Sequence, residues 1–314
     1  MGGLVDINRK FSYFCEINES IFMNILVTGA NGQLGSELRL LAVNSIHRFI
    51  FTDVIDLPGR ETVFLDICDP DAVKTVCDSE SVDLIINCAA YTNVNAAESD
   101  PDAAASLNAK APSLLADIAA ARRMTLIHIS TDYVFDGSAN VPYKESVTPS
   151  PCSVYGSTKL AGEEAVRRSG CRSIIIRTAW LYSRFGKNFV KTIGERCVAS
   201  DKISVVVDQV GSPTCATDLA AAIMYIIDSG QLDKCGTYHF SNEGAISWFD
   251  FARAIADLRS SDCKIVPCSS SDYPSPVHRP NYSVLDKSKF KDTFGFEIPY
   301  WRTSLSKCIA EIWK

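Results

Sequence analysis

Thr28-Gly29-Ala30-Asn31-Gly32-Gln33-Leu34-Gly35 decides the architecture of this chain. It follows a short apolar run, Asn24-Ile25-Leu26-Val27-Thr28, and leads into a stretch with helical patterning over 34–43. A strand that turns at once into a helix needs glycine at the turn. Gly29 accepts positive φ without a Cβ clash. Gly32 lets backbone N–H groups approach a pyrophosphate, and Gly35 lets the helix pack close to the strand. The helix N-terminus then faces the phosphates with its partial positive charge. The spacing is G-x-x-G-x-x-G rather than G-x-G-x-x-G, so this segment alone also reads as an ordinary glycine-rich strand–helix turn.

The rest of the first half repeats the strand–helix alternation. Apolar runs at 48–52, 62–64, 83–87, 125–129 and 173–177 alternate with helical stretches at 69–79, 101–121 and 154–169. Uninterrupted apolar runs suit strands covered on both faces. The predicted fold class is α/β, a Rossmann-like doubly wound parallel sheet with a smaller, discontinuous C-terminal substrate domain. After Arg177 the pattern breaks into short elements, then returns with a helix at 216–229 and a strand at 236–240. The expected division is 23–178 plus 214–241 for dinucleotide binding, and 179–213 plus 242–314 for substrate binding. A helix is expected over 248–258, ahead of several prolines.

The 314 residues are 46% hydrophobic, enough to bury a sizeable core. A formal charge of -6 argues against nucleic-acid binding. Twelve cysteines occur without a C-x-x-C pair and without histidines at ligand spacing. They read as reduced core thiols of a cytoplasmic protein, and no metal site is expected. No apolar run reaches the ~20 residues of a membrane span. Residues 1–22 carry Asp6, Glu16 and Glu19 and form no signal peptide. Met23, directly before the first strand, is the expected start, with 1–22 an upstream extension or disordered tail.

Asp53 lies just past the second strand, eighteen residues after Gly35. A carboxylate there accepts from adenosine ribose hydroxyls and repels a 2′-phosphate, which predicts NADH over NADPH without strict exclusion. A solvated loop aspartate is the other reading. Asp66 and Ile67, after the third strand, are placed to meet adenine. Ala89, Ala90 and Thr92, after the fourth, lie along the middle of the cofactor.

Tyr155 and Lys159 stand four apart in Tyr155-Gly156-Ser157-Thr158-Lys159, on one helix face. A free phenol has a pKa near about 10, and an ammonium within about 4–6 Å favours the phenolate. Bringing it to about 7 takes about 4 kcal/mol of differential interaction, which the lysine and the positive nicotinamide of an oxidised cofactor could supply together. Ser130-Thr131-Asp132-Tyr133-Val134-Phe135-Asp136-Gly137 follows the fifth strand, at the ligand edge of such a sheet. Thr131 can hydrogen-bond a carbonyl oxygen beside Tyr155. Asp132 reads either as a contact for a sugar hydroxyl or as a turn cap.

These motifs together resemble the extended short-chain dehydrogenase/reductases, and within them the dTDP-4-dehydrorhamnose reductase family. The resemblance continues through Arg177-Thr178-Ala179-Trp180-Leu181-Tyr182, Asp208-Gln209-Val210-Gly211-Ser212-Pro213-Thr214 and Arg279-Pro280-Asn281-Tyr282-Ser283. It covers the chain from Met23 to the C-terminus. It implies NAD(P)H-dependent reduction of the C4 ketone of dTDP-4-dehydro-β-L-rhamnose, the last step of dTDP-rhamnose biosynthesis. It implies Thr131, Tyr155 and Lys159 as the catalytic set. It places Gln33, Leu34, Asp53, Asp66, Ile67, Ala90, Thr92, Tyr155 and Lys159 at the cofactor. Thr131, Asp132, Trp180 and Arg279 are implied at the substrate, Trp180 against a base or sugar face and Arg279 toward the diphosphate. Core packing is the alternative for Trp180. The partner implied is a dTDP-sugar, with a homodimer left open. Two rival readings stand: a nucleotide-sugar epimerase with tightly held NAD, and a non-catalytic subunit similar to the regulatory β subunit of methionine adenosyltransferase. Against the epimerase, Ser130-Thr131-Asp132-Tyr133 stands where such enzymes carry a Ser-Ser-x-x-Val-Tyr-Gly-like run.

Overall fold

The computed structural model describes residues 22–272, 277 and 279–314. The expectations for residues 1–21 lie outside the described residues. The glycine turn joins β1 (Asn24–Thr28) to α1 (Gln33–Ala42). Then come β2 (Arg48–Asp53), β3 (Val63–Phe64), α2 (Pro70–Ser79) and β4 (Leu84–Asn87). Helices α3 (Val94–Ser99), α4 (Pro101–Ala105) and α5 (Ala111–Arg122) lead to β5 (Thr125–Thr131). The half closes with α6 (Val154–Arg168) and β6 (Arg172–Thr178).

The single helix expected over 101–121 is broken by a π-helical turn at Ser106–Lys110. That turn carries Asn108, fully buried, whose amide holds the Tyr91 backbone at both ends and donates to Thr158 Oγ1 at 3.2 Å. An extra residue in a helical turn re-aims one side chain, and here it ties the loop after β4 to α6.

Beyond β6 the chain runs through β7 (Leu181–Tyr182), α7 (Phe189–Ala199), β8 (Lys202–Val206), β9 (Val210–Gly211) and β10 (Thr214–Cys215). α8 (Ala216–Asp228) and β11 (Gly236–His239) return to the main sheet. β12 (Ile246–Ser247), α9 (Trp248–Leu258), β13 (Lys264–Cys268), α10 (Ser288–Phe294) and α11 (Trp301–Ile312) complete it. α7 and α11 are regular helices in regions the sequence reading left as short or unassigned elements. Their apolar faces are completed only by each other's neighbours in a shared core.

The sheet has the order β11-β6-β5-β4-β1-β2-β3, with every neighbouring pair parallel. The order reverses at β1, between β4 and β2, and a crevice opens there at the C-terminal strand ends. Burial explains the unbroken apolar runs. Ile25 and Val27 face a core shared with α1 and α8, while Leu26 faces a core shared with α2 and α5. Each such fully buried aliphatic side chain contributes about 1.5–3 kcal/mol relative to exposure. A further core joins α7, β8, α9, β13 and α11 around Phe251 and Trp301. α10 packs differently from the rest of the C-terminal segment, because Phe290 and Phe294 sit in the core of the main sheet. Among the described residues the cysteines are free thiols, and no helix is long and apolar enough to cross a membrane.

Candidate active site

A cleft of about 910 Å³ lies over the C-terminal ends of β1, β4 and β5. Its floor is the glycine turn. Gly29 has φ +63°, and a Cβ there would come within 2.6 Å of Ala89 N, so β1 and the loop after β4 close on one another only through glycine. A Cβ at Gly35 would lie 2.5 Å from Ala30 Cα, which explains how α1 starts tight against the turn. Gly32 occupies the N-cap of α1 without a side-chain cap, so the first-turn N–H groups have no capping side chain where Gly32, Gln33 and Leu34 line the cleft. This shape suits a dinucleotide pyrophosphate.

Of the residues expected at a cofactor, Gly29, Gly32, Gln33, Leu34, Asp53, Asp66, Ile67, Ala89, Ala90, Thr92, Tyr155 and Lys159 line the cleft. Gly35 lies behind it. Asp53 is held by two backbone donors, Asn31 N at 2.9 Å and Ile55 N at 3.0 Å. It is therefore a fixed acceptor rather than a free loop carboxylate. The cleft also contains Arg60, which sequence reasoning missed. Its guanidinium donates to Ser36 Oγ at 2.7 Å and lies 5.1 Å from the Phe185 ring centroid. No local pattern marked Arg60, since the loop after β2 has no periodicity to read.

The segment after β7 fastens the far wall. The buried Glu37 of α1 accepts from Ser183 Oγ at 2.7 Å and Arg184 Nη2 at 3.2 Å. Asn188 Nδ2 reaches Gln33 Oε1 at 3.1 Å. These bonds bring Phe185 and Lys187 to the cleft beside the glycine turn.

The residues expected to be catalytic meet at the end of β5 and the start of α6. Thr131 caps the short 3₁₀ turn Asp132–Val134 by accepting from Tyr133 N at 3.2 Å, and donates to Asp132 Oδ1 at 3.0 Å. The capping role considered for Asp132 thus belongs to Thr131. Asp132 is 2% exposed, and its Oδ2 has no hydrogen-bond partner among the described residues. Burial pushes its carboxyl up to about 6, opposed by the nearby hydroxyls of Ser283 and Thr131 and by backbone N–H groups. Thr131 and Tyr155 line the same part of the cleft, and the Tyr133 ring meets Tyr155 edge-on at 5.4 Å.

The chain's own groups do not by themselves lower the Tyr155 pKa. Burial raises the phenol well above its ordinary value, and nearby Asp132 and Tyr133 add to the rise against the nearby Thr131 hydroxyl. Lys159 is 2% exposed and donates to the Ile129 carbonyl at 2.6 Å instead. Burial brings its ammonium down to about 8, against the pull of Glu163 and Cys88. One turn further along α6, Glu163 is fully buried. It takes Arg177 Nη2 at 2.7 Å and Nε at 2.8 Å, and Ser130 Oγ at 2.5 Å. An ion pair so enclosed is held by its own hydrogen bonds and adds rigidity behind the lysine.

Trp180 and Asp132 line the same cleft, but Arg279 does not. Its positive charge instead acts on the Tyr133 phenol, and Tyr133 is part of the lining. Trp180 is joined there by Trp248 from α9, a second residue missed from sequence. Among the described residues no group of three or more His, Cys, Asp or Glu is arranged to hold a metal ion.

With this geometry in place, the relatives are informative. Residues 23–313 match the family described as the RmlD substrate binding domain. A dTDP-4-dehydrorhamnose reductase of Aggregatibacter actinomycetemcomitans is 37% identical over 296 residues, covering 91% of this chain and 98% of that protein. The crystal structure of a dTDP-4-dehydrorhamnose reductase from Clostridium acetobutylicum superposes with a TM-score of 0.87 at 40% identity, covering 93% of this chain and all of that one. The Bacillus anthracis dTDP-4-dehydrorhamnose reductase, solved in complex with NADP, gives a TM-score of 0.85 at 33% identity, covering 93% of this chain and all of that one.

Proposed function

The chain belongs to the RmlD family of dTDP-4-dehydrorhamnose reductases, and from that premise we propose that it reduces the C4 ketone of dTDP-4-dehydro-β-L-rhamnose to dTDP-L-rhamnose with NADH or NADPH. The observation that carries this reading is the meeting of the glycine turn, Thr131 and Tyr155 in one cleft.

When bound, the reduced dinucleotide supplies the hydride that the ketone carbon receives. The chain's own residues handle the oxygen. A phenol whose ionisation is disfavoured keeps its proton at neutral pH and gives it to the oxygen as negative charge develops there. Thr131 donates a second hydrogen bond to that oxygen once its single hydroxyl proton turns away from Asp132 Oδ1. Lys159 keeps positive charge beneath the site while held by the Ile129 carbonyl. Asp132, with one oxygen unsatisfied among the described residues, accepts a sugar hydroxyl.

Cofactor choice follows from two opposed groups. Asp53 accepts ribose hydroxyls and repels a 2′-phosphate, whereas Arg60 in the same cleft attracts one. The chain accepts both cofactors, with NADH ahead.

The test is oxidation of NADH or NADPH with enzymatically prepared dTDP-4-dehydrorhamnose, followed together with formation of dTDP-L-rhamnose. Tyr155→Phe serves as control and is expected to lower turnover by roughly 10²–10⁴ while retaining cofactor binding. A folded, cofactor-binding chain that oxidises neither cofactor with this substrate would reject the proposal.

A further inference from the structure

Trp248 opens α9, where Ser247 and Asp250 form a reciprocal capping box that fixes the direction of the first turn. Its ring lies 3.6 Å from that of Trp180 with 9° between the planes. Phe189 braces it at 4.4 Å from another side. Trp180 has φ +49°, a left-handed backbone that a bulky residue adopts only where its surroundings compel it. Gly211 is part of that compulsion, since a Cβ there would come within 2.6 Å of the Trp180 ring. The strained indole is thus pinned between a glycine gap and a parallel ring, and both indoles line the cleft that holds Tyr155.

We propose that Trp248 is a positioning residue for substrate: by stacking on Trp180 it fixes the aromatic wall against which the sugar of the nucleotide-sugar ketone rests. A sugar presents C–H surface that packs on an aromatic wall. Such packing holds the ground state and the transition state alike, so it governs KM more than kcat. With one ring removed, Trp180 loses its parallel partner, and the wall relaxes.

This inference rests on the reductase reading, and the two fail differently. If the wild-type chain turns over no dTDP-4-dehydrorhamnose, the reading fails, and dTDP binding followed by tryptophan fluorescence then replaces KM as the test of Trp248. With an active chain, Trp248→Ala is expected to raise the KM for the sugar nucleotide by about tenfold, with kcat and the cofactor Kd changed less than about threefold. The exciton couplet of the stacked indoles in circular dichroism should vanish. Trp248→Phe, which retains a ring face, should restore KM to within about threefold of wild type while still lacking the couplet. If Trp248→Ala does not fold, Trp248→Leu, which keeps bulk without a ring face, carries the same expectation. A folded Ala or Leu variant with unchanged KM, or one that loses kcat alone, would overturn the proposal. So would a Phe variant as impaired as the alanine variant.

Discussion

Lys159 Nζ and the Ile129 carbonyl oxygen are 2.6 Å apart, which ties the lysine of α6 to the last turn-inward stretch of β5 rather than to the phenol one helical turn before it. The ammonium is therefore stored in a buried, polar-bonded position under the site. Its folded pKa of about 8 lies below the ordinary lysine value of 10.5, so the folded state disfavours its proton. The unfolded chain binds more protons between those values, and stability from this group rises with pH across that window. Lys159→Met is expected to be more stable than wild type below about pH 8, by up to about 3 kcal/mol, with the difference shrinking toward pH 10.5. Urea unfolding at several pH values measures this, and the same variant should lose turnover, the usual conflict between a stable and a functional site.

Asp132 makes the opposite pH signature. Its carboxyl is raised from 3.8 to about 6 by burial, so the proton is favoured by folding. Its contribution is present in full below 3.8 and is lost as pH rises through about 6. Asp132→Asn is expected to match wild-type stability near pH 4 and to exceed it above about 6, by an amount on the order of 2–3 kcal/mol. Thermal melts at the two ends of that range decide it. An identical difference at both ends would remove the buried carboxylate as the cause.

Gly29→Ala tests the floor of the cleft. The added methyl would meet Ala89 N at 2.6 Å in a backbone with φ +63°, where an L side chain already costs about 1–2 kcal/mol. The loop after β4 must move, and it carries Ala89, Ala90 and Thr92 along the cleft. NADH affinity, read by tryptophan quenching, should fall by at least about tenfold. Unchanged affinity would show that the turn does not bear on the cofactor.

Asp53→Ala and Arg60→Ala should shift cofactor choice in opposite directions. Removing the carboxylate should raise the kcat/KM for NADPH relative to NADH, and removing the guanidinium should lower it, each by roughly tenfold. Paired kcat/KM measurements with the two cofactors check both at once, and shifts in the same direction would dismiss the opposed-charge account.

The doubly wound half was readable because its signals are local. A strand covered on both faces must be apolar at consecutive positions, as Ile25, Leu26 and Val27 are, and a turn such as that at Gly29 demands glycine within a few residues. Likewise, Tyr155 and Lys159 share a helix face by arithmetic. The π turn carrying Asn108 left no such mark, since it departs from the surrounding helix by one residue and depends on Tyr91 and Thr158 from elsewhere. Helices α7 and α11 were equally hidden, because their apolar faces acquire a core only when β8, α9 and β13 assemble beside them.

The sequence by itself determined which residues could do chemistry, since that is written in residue type and short spacing. Only the tertiary structure decided their electrostatic state. Spacing put an ammonium on the same helix face as a phenol, but only the fold shows that burial raises the phenol's pKa and that the ammonium bonds the Ile129 carbonyl. The same holds for Arg60 and Trp248, which reach the cleft from a loop and a distant helix. Desolvation, ring stacking and long-range charge depend on what lies within a few ångströms in space, and no local pattern along the chain records that neighbourhood.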